Sequence, residues 1–81
     1  MRVHVYFFAS HRDVVGTDQI DLDLSDGCNV AGVQSLLAER YPRLAPLLGC
    51  SRASVNEQYC GSDRLLADGD RIAFIPPVSG G

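Results

Sequence analysis

The sequence predicts an α+β domain, a mixed sheet with one main helix packed across one face. Three observations carry that expectation: apolar–polar alternation near both ends of the chain, one stretch of helical spacing between them, and a length that suits a single core. At 81 residues the chain is one small domain, burying only roughly 60% of the surface its unfolded form exposes. Such a domain leaves little room for a deep, enclosed active site.

Residues 2–8 set Val3, Val5 and Phe7 on one side and His4, Tyr6 and Phe8 on the other, the period of a strand. His11 to Thr17, containing Val15-Gly16, reads as a loop. Residues 18–24 alternate again, with Ile20, Leu22 and Leu24 against Asp21 and Asp23. The first two strands therefore form an antiparallel hairpin with a longish loop. Ser25-Asp26-Gly27 breaks the alternation, and Asn29 supplies an N-cap. Val30, Val33, Leu36, Leu37 and Tyr41 then recur at helical spacing, leaving Gln34, Glu39 and Arg40 for solvent. Gly32 inside this helix costs about 1 kcal/mol relative to alanine.

Pro42 ends the helix, and Arg43 to Gly49 is an irregular apolar stretch or one short turn. Ala53 to Asn56 is a short third strand, and Leu65-Leu66 begins another brief one. Asp68-Gly69-Asp70 signals a turn. Residues 71–75 form the last strand, with Ile72 and Phe74 facing one way and Ala73 and Ile75 the other. Pro76-Pro77 stops it, because proline cannot donate to a ladder. One helix laid across one sheet face is the economical way to bury these stripes. That arrangement is the ubiquitin-like β-grasp, whose first and last strands lie parallel at the sheet centre; the central pairing belongs to the fold and not to the alternation. The expected organisation is a β-grasp domain over 1–75 and a flexible Gly-Gly tail over 76–81.

Composition narrows the function classes. Hydrophobic residues make up 46% and charged residues 21%, ordinary for a globular protein. The net charge of −3 repels phosphate backbones, and no run of Lys or Arg offsets it locally, so nucleic acid is not an expected partner. A basic partner protein suits the surface better. No apolar run approaches the roughly 20 residues that span a bilayer. The opening Met1-Arg2-Val3-His4 lacks the pattern of a signal peptide. Cys28, Cys50 and Cys60 are an odd set without CxxC spacing, which reads as three reduced thiols in a cytoplasmic protein.

The usual catalytic sets are missing. The sequence has no glycine-rich phosphate loop, no HExxH and no cluster at metal-ligand spacing, so no metal is expected. His4 is expected on a strand face near solvent and His11 in a loop. Ser10, His11 and Asp13 have the types of a catalytic triad, but they crowd four positions of one loop, and chance accounts for them better than geometry. The tail is different. Two prolines stiffen the exit from the last strand, and the six residues from Pro76 onward reach roughly 20 Å when extended. Gly80 and Gly81 carry no Cβ and can thread a narrow channel. On composition alone, an arm presenting its carboxylate and a frayed terminus remain equal readings.

Resemblance separates them. Asp68-Gly69-Asp70-Arg71-Ile72-Ala73-Phe74-Ile75-Pro76-Pro77-Val78-Ser79-Gly80-Gly81 resembles the C-terminal signature of molybdopterin synthase small subunits. Val5-Tyr6-Phe7-Phe8-Ala9, followed by Arg12 and Val15-Gly16-Thr17, is similar to that family's opening, and Val55-Asn56 falls at its spacing. Pro-Pro-Val-Ser-Gly-Gly is the specific element, since a bare Gly-Gly is common to many ubiquitin-like proteins. The segment 43–54 and the three cysteines match nothing in the family pattern.

The resemblance implies a sulfur carrier that is not catalytic alone and holds no permanent cofactor. It implies that a ubiquitin-activating-type enzyme adenylates the Gly81 carboxylate with ATP and magnesium, and that a sulfur donor protein displaces AMP to leave a thiocarboxylate. The charged carrier would then dock on a large synthase subunit, in a heterotetramer of two small and two large subunits, and pass sulfur to a cyclic pyranopterin precursor. In the family, positions matching Phe8, Tyr59 and Ile75 contribute to the docking surface, with larger or more purely apolar residues common at the last two. Pro76, Pro77, Val78 and Ser79 would enter the partner with Gly80. Arg12 matches a family arginine suited to a rim ion pair, and a solvated loop charge explains it equally well. The alternatives are a related carrier for thiamin, cysteine or tRNA thiolation, and a β-grasp interaction domain without sulfur chemistry.

Overall fold

The alternation at each end of the chain is that of a strand buried on one side only. β1 (Arg2–Phe7) buries Val3, Val5 and Phe7, and β5 (Arg71–Ile75) buries Ile72 and Phe74. In the computed structural model, which describes residues 1–77, the two run parallel, Val5 opposite Ile72 and Phe7 opposite Phe74. β2 (Gln19–Asp23) pairs antiparallel with β1, Val3 opposite Leu22. β3 (Arg52–Val55) pairs antiparallel with β5, and β4 (Gln58–Cys60) lies antiparallel beyond it. The strand order is β2-β1-β5-β3-β4. This is the β-grasp, with the first and last strands parallel at its centre as expected.

α2 (Val30–Arg40) covers the buried face with Val30, Val33 and Leu37. Asn29 caps it as the sequence predicts: its Oδ1 accepts the Gly32 N–H at 2.9 Å. Gly32 also has a steric reason to be glycine. A Cβ there would come within 2.7 Å of the Cys28 sulfur, so the loss in helix propensity avoids a clash.

Four stretches differ from expectation. First, Arg43 to Gly49 is more regular than one turn. A 3₁₀ turn (Pro42–Leu44) and α3 (Ala45–Leu48) follow α2, and their Leu44 and Leu48 are buried in the core. Pro42 and Pro46 stand in first-turn positions, where a missing N–H leaves no bond unmade.

Second, His11 to Thr17 is not a loop. The chain leaves β1 at Phe8, Ala9 takes a left-handed φ of 48°, and α1 (Ala9–Val15) runs on until Gly16, at φ 89°, donates its N–H to Arg12 O. No capping side chain marks its start, so the sequence carries no helix signal there. Tertiary packing of His11, Val14 and Val15 holds it instead. The β1–β2 pairing stands, but a helix joins the two strands.

Third, β4 follows β3 through Asn56 and Glu57, both at positive φ (51° and 70°), a two-residue hairpin turn that draws Gln58–Cys60 into the sheet. Fourth, Leu65 makes only an isolated bridge with Asn29 rather than starting a strand. The buried Asp70 fastens the turn between β3 and β4 to the approach to β5. Its oxygens accept Asn56 Nδ2 at 2.9 Å and Ala67 N–H at 2.8 Å, while Asn56 Oδ1 accepts Arg71 N–H at 3.0 Å.

Candidate functional site

Helices cover one face of the sheet, so the side chains that alternation turns the other way form an open face. Register decides which of them meet. Gln19, Tyr6, Ala73, Ser54 and Tyr59 lie opposite one another across the five strands. Two residues along β5, Ile75 stands opposite Arg52. Phe8 keeps extended backbone angles (φ −125°, ψ 150°) and continues the alternation of β1, which sets it beyond Tyr6 on the Ile75 side.

The face sets aromatic side chains among polar and charged ones. Phe8 is 47% exposed and Tyr59 59% exposed, while Ile75 is half-buried. The Arg52 guanidinium carbon sits 3.9 Å from the Tyr59 ring centroid, a cation–π contact that holds the ring against β3. Between the strands, Tyr6, Phe8, Ser54, Glu57, Arg71 and Ala73 line a groove of about 280 Å³. Ala73 and Ser54 are small where their neighbours on the face are aromatic, which leaves the space open. Exposed aromatics around such a groove are the composition of a protein-docking surface.

The structure thus brings Phe8, Tyr59 and Ile75 onto one face, with Phe8 and Ile75 on the adjacent strands β1 and β5 and Tyr59 on the β4 side. Pro76 is half-buried and Pro77 exposed where the chain leaves β5. Arg12 is exposed on α1, and among the described residues its guanidinium makes no ion pair. Val78, Ser79, Gly80 and Gly81 lie outside the described residues.

Ser10, His11 and Asp13 form no triad. Ser10 and Asp13 are exposed, whereas His11 is fully buried between Phe74 O and Ser51 Oγ, each 3.0 Å from a ring nitrogen. Among the described residues no group of three His, Cys, Asp or Glu side chains could hold a metal ion. Cys28, Cys50 and Cys60 are free thiols, with Cys50 exposed.

Sequence reading missed Tyr6, Ser54, Glu57 and Arg71 as groove residues, because only the β1–β5–β3 register makes them neighbours. It also missed an ion pair and a side-chain hydrogen bond between β1 and β2. Arg2 Nε lies 3.0 Å from Asp23 Oδ1, and His4 Nδ1 lies 2.7 Å from Asp21 Oδ1. The hydrogen bond from Arg2, reinforced by its charge, holds the Asp23 carboxyl below the usual carboxylate range and raises Arg2 in return. The bond from His4, aided by Gln19, lowers Asp21. The signal was present: two basic residues spaced by two on β1 stand opposite two acids spaced by two on β2.

Comparison with known proteins gives consistent matches. The model of the ThiS family matches residues 5–81. A molybdopterin synthase sulfur carrier subunit of Aedes aegypti is 40% identical over all of this chain and 90% of its own length. That of Escherichia coli (strain K12) is 38% identical over 98% of this chain and 99% of its own. Among solved structures, a chain in the complex of subunits 1 and 2 of molybdopterin-converting factor from Helicobacter pylori superposes with a TM-score of 0.74. It covers both chains fully at 24% identity.

Proposed function

Because this chain belongs to the ThiS family over residues 5–81, we propose that it is the sulfur carrier subunit of a molybdopterin synthase. In this reading Gly81 carries the sulfur as a thiocarboxylate. The observation that carries it is end-to-end similarity: the whole chain aligns with 90% of a sulfur carrier subunit at 40% identity. The β-grasp with exposed aromatics on its open face suits a protein that works by docking, and the Helicobacter pylori complex of subunits 1 and 2 supports a large-subunit partner.

The chemistry follows from what a carboxylate lacks. It is a poor electrophile, so an adenylating enzyme of the ubiquitin-activating type first transfers AMP from ATP, with magnesium, to the Gly81 carboxylate and releases pyrophosphate. The terminal sulfur of a donor persulfide then attacks the carbonyl carbon, and AMP leaves with the bonding pair. A thiol cleaves the resulting acyl disulfide, forming a disulfide with the donor sulfur and leaving the thiocarboxylate. That group is a soft anionic nucleophile at neutral pH. Docked on the large subunit, its sulfur bonds to a carbon of the cyclic pyranopterin precursor as an oxygen substituent leaves with the bonding pair; water then cleaves the acyl–sulfur bond, which returns the Gly81 carboxylate, and two such transfers build a dithiolene. The carrier supplies the reacting atom and the partner supplies the pocket. The proposal places the cycle in the cytoplasm, where the three free cysteines stay reduced, and pairs two carriers with two large subunits. Among the described residues no helix is long and apolar enough to cross a membrane.

Mass spectrometry after incubation with activating enzyme, ATP, magnesium and sulfur donor tests the reading. The C-terminal peptide should show one oxygen replaced by sulfur, and the product should restore dithiolene synthesis with a molybdopterin synthase large subunit. Deleting Gly81 withdraws the carboxylate by roughly 3.5 Å and should abolish both, with an unchanged melting temperature because β5 ends at Ile75. Full activity of the deletion variant would sink the proposal. Sulfur loading without rescue by the large subunit would assign the carrier to another pathway.

A further inference from the structure

α1 buries a histidine at the point where β5 ends. The His11 ring is fully buried, with Nδ1 3.0 Å from Phe74 O and Nε2 3.0 Å from Ser51 Oγ. A carbonyl oxygen has no proton to give, so Nδ1 carries hydrogen and donates it to Phe74 O. Ser51 Oγ also lies 2.6 Å from Leu47 O. That carbonyl already accepts the Cys50 N–H at 3.2 Å. Ser51 Oγ donates its single proton to Leu47 O and turns a lone pair toward Nε2, so both ring nitrogens face acceptors.

The position of Phe74 O gives this bond its meaning. In the parallel β1–β5 ladder, His4 N–H donates to Asp70 O at 2.9 Å, and the pattern repeats every two residues along each strand. The donor due to Phe74 O is therefore the Phe8 N–H. The ladder runs to Phe7 opposite Phe74, the chain then departs for α1, and the His11 ring, in the first turn of that helix, comes to Phe74 O from outside the ladder. Because the peptide unit is planar, holding Phe74 O also holds the Ile75 N–H, the start of the segment Ile75-Pro76-Pro77 that leads out of the sheet.

Building on the sulfur-carrier reading, we propose that His11 is a positioning residue for sulfur transfer. Its Nδ1–H anchors Phe74 O at the last pair of the β1–β5 ladder and sets the direction in which Ile75-Pro76-Pro77 leaves the sheet. Ser51 Oγ stands at the other ring nitrogen and keeps the ring from turning. Pro76 and Pro77 follow Ile75 directly, and their fixed φ carries that direction to the end of the described residues. A misplacement of about 1 Å can slow a reaction about a hundredfold.

His11→Leu removes the donor at similar size, and His11→Asn keeps an N–H near the Nδ1 position. In wild type, the ¹⁵N ring spectrum at neutral pH should show Nδ1 protonated. His11→Leu should shift the Ile75 amide resonance and lower kcat/KM for sulfur transfer to the large subunit by about tenfold. His11→Asn should recover to within about threefold of wild type. Equal impairment of the Leu and Asn variants would mean the ring serves packing alone and would overturn the proposal. Wild-type transfer by His11→Leu, or a ring protonated only at Nε2, would overturn it as well. If His11→Leu does not fold, the Asn variant and the wild-type ring spectrum decide. A wild-type chain that accepts no sulfur refutes the carrier reading itself, and the ring and Ile75 spectra then still decide whether His11 anchors the exit.

Discussion

Replacing Phe8 by alanine tests the docking face most directly, because the structure divides this side chain almost evenly between protein and solvent. A fully enclosed aromatic buries 150–250 Å², and Phe8 is 47% exposed, so about 100 Å² remains for a partner to cover. At about 25 cal/mol per Å² that area contributes about 2.5 kcal/mol. Alanine retains the Cβ, which lowers the expected binding loss to about 2 kcal/mol, or roughly 30-fold in Kd. The packed half is lost as well, costing the fold about 1–2 kcal/mol. For a domain of this size that is a fall in melting temperature of roughly 5–15 °C. The assay is calorimetric titration of the variant against the large subunit and the activating enzyme, well below its melting temperature, with a thermal melt as control. A Kd within threefold of wild type would refute the reasoning about the face. Loss of cooperative unfolding would refute the burial argument, since a half-exposed side chain at a helix N-cap cannot hold the core.

Two further outcomes follow from the polar contacts. Asp70→Ala strips partners from Asn56 Nδ2 and the Ala67 N–H, so it should cost about 2–4 kcal/mol and lower the melting temperature by at least about 10 °C; a loss below about 1 kcal/mol would show that water replaces the carboxylate. Asp21 and Asp23 have carboxyls lowered by His4 and Arg2, so their stabilisation is complete above the unfolded value near pH 4 and fades as pH falls through the lower folded values. The melting advantage of wild type over Asp21→Asn/Asp23→Asn should therefore narrow below about pH 4 and shrink with salt; a gap that widens in acid would contradict the sign.

Much of the fold was legible in the residue pattern, where one local rule decided each element. Val3, Val5 and Phe7 against Ile72 and Phe74 declared two one-sided strands, and the structure buries all five. Asn29 declared the start of α2, and its side chain makes the cap. The open face was legible in part. Alternation put Phe8 and Ile75 away from the helix, but period two states only which side a residue faces and not which residues on other strands stand beside it.

The elements that escaped prediction are held by contacts distant in sequence. α1 has no capping side chain and begins at a left-handed Ala9, so local propensity argued for a loop. It forms because His11 finds Phe74 O 63 residues away and Ser51 Oγ 40 residues away. β4 has three residues, too few for a periodic signal, and joins the sheet because the Asn56-Glu57 turn folds it back onto β3. The sequence by itself determined the class of fold, the main helix and its cap, the one-sided strands near each end of the chain, and the Pro-Pro-Val-Ser-Gly-Gly signature, because each depends on residues near one another in the chain. Tertiary structure alone decided α1, the groove from Tyr6 to Ser54, the Asp70–Asn56 lock and the burial of His11, because each joins groups whose proximity exists only after β1, β5 and β3 have found their register.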